Sequence, residues 1–139
     1  MTRVDFYVVA DAGPEARLSV AARLADKVLA KGHTLFINAC DRQQAEQLDA
    51  MLWSYRSASF IPHSLCEESE NEPVVIGWGQ EPTQHDDVLI NLDSTAPTFF
   101  SRFSRVAEIV TQDHEHIDAL RDAWRFYRDR GYPLTKHDL

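Results

Sequence analysis

A stretch of arginines and aromatic residues lies near the carboxyl end of the chain. At about 100° per residue, Arg121, Arg125 and Arg128 form one stripe of a helix. The adjoining stripe is apolar and consists of Ile117, Leu120, Trp124 and Tyr127. Guanidinium groups bind carboxylates through paired hydrogen bonds, and an adjacent apolar surface accepts a hydrophobic side chain. The pattern predicts a site for an acidic peptide that ends in a hydrophobic residue and a free carboxylate.

The same residues have two other interpretations. Arginines near the carboxyl end of a helix complement the helix dipole, and Trp124 and Tyr127 could belong to the hydrophobic core. Direct binding of single-stranded DNA by the arginines is the second, and the net charge of −8 disfavours it because most of the surface repels phosphates.

Three carboxylates offer a catalytic alternative. Asp11, Asp41 and Asp93 each follow a predicted strand, and ligands gather at the carboxyl ends of parallel strands. Together they could hold Mg²⁺ in a small phosphate hydrolase. Asp41 is also placed to cap a helix, however, with Gln44 three residues later completing a capping box. Turn roles account equally well for Asp11 and Asp93.

The sequence lacks motifs for other chemistries. It contains no glycine-rich phosphate loop, no zinc-binding histidine pair and no nucleophilic serine elbow. Cys40 and Cys66 form no Cys-x-x-Cys pair, which favours reduced thiols in a cytoplasmic protein. The apolar runs are also far shorter than a membrane span. We therefore expect no catalytic residues, metal, cofactor or membrane contact.

Large apolar residues around Trp53 and Phe60 predict a second interaction surface. Leu52-Trp53 ends a predicted helix, and Phe60-Ile61-Pro62 lies in the loop that follows it. Loops run over the protein surface, where Trp and Phe are frequent interface anchors. A small hydrophobic cluster beneath the loop is the alternative.

Strands and helices alternate along the chain. Continuous apolar runs predict strands at residues 6–10, 34–39, 74–78, 88–92 and 106–110. Helical periodicity predicts helices at residues 15–31, 41–53, 99–102 and 113–130, with Gly32 as a C-cap and residues 54–73 as a loop. The 139 residues are 44% apolar, enough for one compact domain. We predict a single α/β domain, residues 1–139, with a three-layer Rossmann-like fold whose mainly parallel central sheet is flanked by helices.

Several segments resemble the chi subunit of bacterial DNA polymerase III. They are Val4-Asp5-Phe6-Tyr7, Leu52-Trp53 followed by Ser59-Phe60-Ile61-Pro62-His63, Val88-Leu89-Ile90-Asn91-Leu92, and the arginine-aromatic helix ending at Gly131-Tyr132. The resemblance covers most of the chain. It implies a Rossmann-like sheet without a nucleotide site, and a non-catalytic accessory subunit of an assembly that has DNA-directed DNA polymerase activity.

The resemblance also implies two protein partners and no direct contact with DNA. The psi subunit would form a heterodimer through a surface that includes Trp53 and Phe60, and would thereby tie the chain to the clamp loader. The acidic C-terminal tail of the single-stranded-DNA-binding protein would bind at a second site. The residues of that site would be Val110, Arg121, Trp124 and Arg125, with Tyr127 and Arg128 nearby.

Overall fold

The computed structural model describes residues 1–54 and 61–139, apart from the side chains of Pro14 and His114. Strands and helices alternate along this part of the chain. The strands are β1 (Arg3–Val8), β2 (Leu35–Asn38), β3 (His63–Leu65), β4 (Val74–Gly77), β5 (Val88–Asn91), β6 (Arg105–Val110) and β7 (Leu134–Asp138). The helices are α1 (Pro14–Ala30), α2 (Arg42–Ser54) and α3 (His114–Asp129), with a short 3-10 helix at Phe100–Arg102.

The described strands form one parallel sheet. Their order across the sheet is β3-β4-β2-β5-β6-β1-β7, and each neighbouring pair runs in the same direction. The central strands β2 and β4 are buried along their whole length, as expected for a parallel sheet covered on both faces. The predicted α/β fold is therefore confirmed, with a sheet that is entirely parallel.

Helices cover the two faces of the sheet and divide the core. Helices α1 and α2 pack on one face through small and branched residues, including Ala21, Ala25 and Leu48. Helix α3 and the 3-10 helix pack on the other face, where Phe6, Tyr127 and several further aromatic residues meet. Because successive strand residues point to opposite faces, β1 contributes Phe6 to one layer and Tyr7 to the other.

Glycines end helices α1 and α3, each of which leads into a parallel strand. At the end of α1, Gly32 has φ 78°, its N–H donates to the Leu29 carbonyl, and the His33 N–H donates to the Val28 carbonyl. Gly131 has φ 80° and makes the same arrangement after α3. Both are Schellman motifs, in which a residue without Cβ adopts the left-handed conformation at low cost. The motif at Gly131 turns the chain back into β7.

Two strands lie where the sequence predicted none. β3 falls inside the stretch predicted as a loop, residues 54–73, and β7 follows the last predicted helix. β3 has only three residues, and β7 is an edge strand with no fully buried residue, so neither has a continuous apolar run. β1 also begins at Arg3 rather than residue 6, because its pairing with β6 starts there.

Candidate functional site

A groove of about 320 Å³ lies between helix α3 and the strands β1 and β7. Its apolar residues are Phe6, Val8, Leu120 and Trp124. Its basic residues are Arg121, Arg125, Arg128 and Lys136. The groove therefore combines an apolar floor with four positive charges, in a chain whose net charge is −8.

The local structure explains how the groove forms. Trp124 is half-buried and its ring meets Phe6 edge to face, with ring centroids 5.0 Å apart. This contact places the indole at the boundary between the core and the groove. Arg121 and Arg125 stand on the neighbouring stripe of the helix, one turn apart, and both are exposed. Lys136 lies opposite them on β7, beside its register partner Phe6.

The basic residues differ in their partners. Arg128 donates to Asp129 Oδ1 through Nε and Nη2, at 3.2 and 3.0 Å. Lys136 Nζ lies 3.5 Å from Asp138 Oδ1. Within residues 1–54 and 61–139, the side chains of Arg121 and Arg125 form no hydrogen bond or ion pair. These two guanidinium groups are thus available to an anionic ligand, beside a floor that can take an apolar side chain.

Two of the predicted site residues do not line the groove. Tyr127 has 0% of its surface exposed, and its hydroxyl donates to Glu108 Oε2 at 2.7 Å. Tyr127 is therefore a core residue beneath the helix, as one of the alternative interpretations held. Val110 pairs in register with Val8 but lines a neighbouring pocket rather than the groove. The structure brings Arg121, Trp124, Arg125 and Arg128 together in the groove itself.

The neighbouring pocket has a volume of about 240 Å³ and lies on the other side of Leu120. Arg17 lies in its wall and donates to the Leu92 and Ile109 carbonyls at 3.0 and 3.2 Å. Burial lowers the pKa of Arg17. These hydrogen bonds hold the start of α1 against the carboxyl ends of β5 and β6.

Glu108, on β6, connects this pocket to the helix. Burial raises the pKa of Glu108 to about 7, while hydrogen bonds from Asn91 and Tyr127 and the charge of Arg17 act in the opposite direction. Asn91 Nδ2 donates to Glu108 Oε2 at 3.0 Å, beside the bond from Tyr127. Glu108 thus joins β5, β6 and α3 in one buried polar network.

Four groove residues were not predicted as site residues. Leu120 was recognised only as part of the apolar stripe, and Phe6 and Val8 only as strand residues. Lys136 lies on β7, which was not predicted at all. The signal that could have found Phe6 and Val8 is the alternation of β1, which places both on the face that α3 covers.

The second predicted surface is described only in part. Trp53 is 59% exposed, and its ring lies 4.8 Å from that of His63, edge to face. His63 Nε2 in turn lies 3.1 Å from Asp49 Oδ1. Phe60 lies outside the described residues. Trp53 is therefore an accessible aromatic residue on the helix that precedes β3.

The three carboxylates do not form a metal site. Across the described parts of the chain, no group of three His, Cys, Asp or Glu residues is placed to hold a metal ion. Asp41 Oδ1 accepts the Gln44 N–H at 2.8 Å, and Gln44 Oε1 accepts the Cys40 N–H at 2.8 Å, so Asp41 caps α2. Asp93 accepts the N–H of Ser94 in a turn. Asp11 lines a pocket at the start of α1 that neither Asp41 nor Asp93 lines. The three carboxylates that the hydrolase alternative requires are therefore not brought together in the described residues.

These features define a class: a three-layer α/β domain with a basic, apolar-floored groove beside one helix. Solved structures share the fold. The C-terminal domain of the DEAD-box protein Dbp5 has a TM-score of 0.66 at 12% identity, over 97% of this chain and 90% of that one. Domain 2 of the DEAD-box helicase Mss116p, solved bound to an RNA duplex, has a TM-score of 0.60 at 9% identity, over 97% and 64%. At these identities the likeness concerns the fold alone.

Sequence comparison identifies the family. The family model of the DNA polymerase III chi subunit, HolC, matches residues 1–135. The chain is 50% identical to the DNA polymerase III subunit chi of Pseudomonas aeruginosa, over 100% of this chain and 98% of that protein. It is 28% identical to the Escherichia coli subunit, over 97% of both chains. The Haemophilus influenzae subunit is 26% identical, over 96% of this chain and 95% of that one.

The protein belongs to the chi-subunit family of DNA polymerase III and is therefore an accessory subunit in DNA replication. The resemblance predicted from the sequence is confirmed. Among the residues described, none of the helices has the length and apolarity to cross a membrane.

Proposed function

We propose that the protein is a non-catalytic cytoplasmic adaptor, which links the clamp loader to DNA covered by the single-stranded-DNA-binding protein. The groove binds the acidic C-terminal tail of that protein, and a surface around Trp53 binds the psi subunit. DNA is held only indirectly. Several tails displayed on one stretch of coated DNA raise the effective concentration, so a modest affinity at each groove retains the polymerase.

The observation that supports the groove most directly is the state of Arg121 and Arg125. Both lack partners among the described residues and lie beside the half-buried Trp124. A peptide terminus would place its carboxylate on these guanidinium groups and its last side chain against the apolar floor. Arg128 adds a third positive charge, and its guanidinium also forms an ion pair with Asp129.

The experiment is fluorescence anisotropy with a labelled acidic peptide that ends in Asp-Phe with a free carboxylate. The same peptide with an amidated end should bind much more weakly. Arg125→Ala should lower affinity about tenfold or more, since hydrogen bonds to charged groups contribute about 1.5–3 kcal/mol. Trp124→Ala should lower it similarly.

Arg130→Ala is the matched control for the groove. Arg130 follows α3 directly, but its guanidinium lies over the Phe126 ring, outside the groove. Its replacement should leave affinity unchanged. Equal binding by the two peptides, or normal affinity in both Arg125→Ala and Trp124→Ala, would contradict the assignment.

The psi surface is tested separately by co-purification with the psi subunit. Trp53→Ala should weaken the heterodimer and leave peptide binding intact, because Trp53 and the groove lie on different elements. Trp124→Ala should do the reverse. A heterodimer that withstands Trp53→Ala would remove Trp53 from the interface.

A further inference from the structure

A further pocket, of about 210 Å³, lies beneath helix α1 on the sheet face opposite to the groove. We call it the α1 pocket. Its floor is apolar and consists of Tyr7, Leu24, Val28, Val88, Ile90 and Ala107. Its basic residues are Lys27, Lys31, His33 and Arg105. The α1 pocket therefore has the same combination of floor and charge as the groove.

The likeness between the two sites arises from strand alternation. Phe6 and Tyr7 are successive residues of β1, so their rings point to opposite faces of the sheet. Phe6 forms part of the floor of the groove, and Tyr7 forms part of the floor of the α1 pocket. β7 behaves in the same way, with Lys136 on the groove and His137 on the other face. The His137 ring stacks on Tyr7, a residue that lines the α1 pocket, with ring centroids 4.7 Å apart.

The free charge in the α1 pocket comes from α1. Lys27 and Lys31 are exposed, lie one turn apart, and have no hydrogen bond or ion pair from their side chains among the described residues. Arg105 is already engaged, with its Nε 3.0 Å from Asp5 Oδ2. His33 Nδ1 lies 3.8 Å from Asp87 Oδ2. Two flexible ammonium groups are therefore available to one small anionic group.

We propose that the α1 pocket is a second site for the C-terminal residue of an acidic peptide. The apolar floor takes the terminal side chain, and Lys27 and Lys31 take the carboxylate. The proposal rests on the proposed function, since it gives the same tail a second place on one molecule. Binding here is weaker than in the groove, because the pocket is smaller and lysine lacks the paired hydrogen bonds of arginine.

The test uses isothermal titration of the full chain with the acidic peptide that ends in Asp-Phe. The double variant Arg121→Ala/Arg125→Ala should lose the tighter site and keep a second one, at least tenfold weaker. Adding Lys27→Ala and Lys31→Ala should abolish this residual binding. Circular dichroism checks that each variant is folded. Because the substituted residues are exposed, each variant should keep the fold.

Arg23→Ala is the matched control. Arg23 lies on α1 one turn before Lys27 and is exposed, but it does not line the α1 pocket. Residual binding that survives Arg23→Ala supports a specific site. Residual binding that falls equally in Arg23→Ala reflects general charge attraction and overturns the proposal.

Two further outcomes are decisive. If the Arg121→Ala/Arg125→Ala variant binds no peptide, the α1 pocket is not a site, while the proposed function stands. If groove substitutions leave the titration unchanged, the groove assignment fails instead. A bare oligothymidine that displaces the residual peptide would overturn the choice of a peptide and indicate a phosphate backbone as the ligand.

Discussion

Glu108 is a buried carboxyl group whose protonation affects how α3 is held. Its Oε2 accepts hydrogen bonds from Tyr127 and Asn91, so it joins the helix to two strands. Because burial raises its pKa from 4.5 to about 7, the folded protein holds this proton more tightly than the unfolded chain does. The stability that the group contributes is therefore complete below pH 4.5 and is lost as the pH rises to about 7.

Glu108→Gln should remove this pH dependence. An amide keeps an acceptor for Tyr127 but does not titrate, so the two proteins should differ most in slope between pH 4.5 and about 7. Over that range, the unfolding free energy of the parent should fall relative to the variant by up to about 3 kcal/mol. Urea unfolding at a series of pH values measures this. Parallel stability curves would show that Glu108 does not titrate in this range.

Asp129 restrains one of the groove arginines, since its Oδ1 accepts two hydrogen bonds from Arg128. Asp129→Asn should free Arg128 and remove a negative charge near the ligand. An exposed ion pair contributes about 0.2–1 kcal/mol, so peptide affinity should rise about two- to threefold. Asp122→Asn, an exposed change on α3 outside the groove, is the control in the same anisotropy assay. A weaker complex with Asp129→Asn would show that Asp129 helps to position Arg128.

The arginine stripe was predictable because helical spacing alone brings Arg121, Arg125 and Arg128 to one side. The burial of Tyr127 was not, because Trp124 and Tyr127 share a stripe and only the tertiary packing decides which ring is covered. Lys136 could not be assigned either, since its strand carries no apolar run. Periodicity thus predicts which residues share one face of an element. The element packed against that face decides which of those residues form the site.

At the scale of elements, Asp41 at the start of α2 could stabilise the helix in two ways, by its cap hydrogen bond or by its negative charge. The cap predicted at Asp41 is confirmed, although Gln44 accepts from the Cys40 N–H rather than from that of Asp41. Asp41→Ala should lower the unfolding free energy by about 1 kcal/mol, while Asp41→Asn should change it little. Peptide binding should remain normal in both. Equal losses in Ala and Asn variants would mean that the carboxylate charge, not the cap, stabilises this end of α2.

The elements with long apolar or periodic patterns were those the sequence predicted. Helix α1 and the buried strands β2, β4, β5 and β6 fall within a few residues of their predicted places. β3 and β7 were missed because edge strands gain much of their stability from backbone pairing, which leaves little trace in side-chain pattern. The difference matters for the site, since β7 forms one wall of the groove.

At the scale of the whole molecule, opposite charges lie at opposite ends of the sheet. The acidic segment with Glu67, Glu68, Glu70 and Glu72 lies between β3 and β4, at one edge. The groove lies beside β7, at the other edge. This separation would let an acidic protein attract the proposed acidic tail at one place.

Salt should therefore weaken the two proposed interfaces unequally. Raising sodium chloride from about 0.1 M to about 1 M shortens the Debye length from about 10 Å to about 3 Å, which screens the exposed groove charges. Peptide affinity measured by anisotropy should fall steeply, while the aromatic contact at Trp53 should be less affected. A peptide affinity that does not change with salt would argue against the arginines as its main determinant.

The groove joins parts of the chain that are far apart in sequence, since Phe6 lies on β1 and Lys136 on β7. A ribosome makes Phe6 long before residues 134–138, so the wall opposite α3 is absent until those later residues have left the exit tunnel. A domain generally folds as a unit once enough of its chain has emerged, so this groove is completed late. A nascent or prematurely terminated chain would thus have an incomplete groove and would compete poorly with finished copies for a tail.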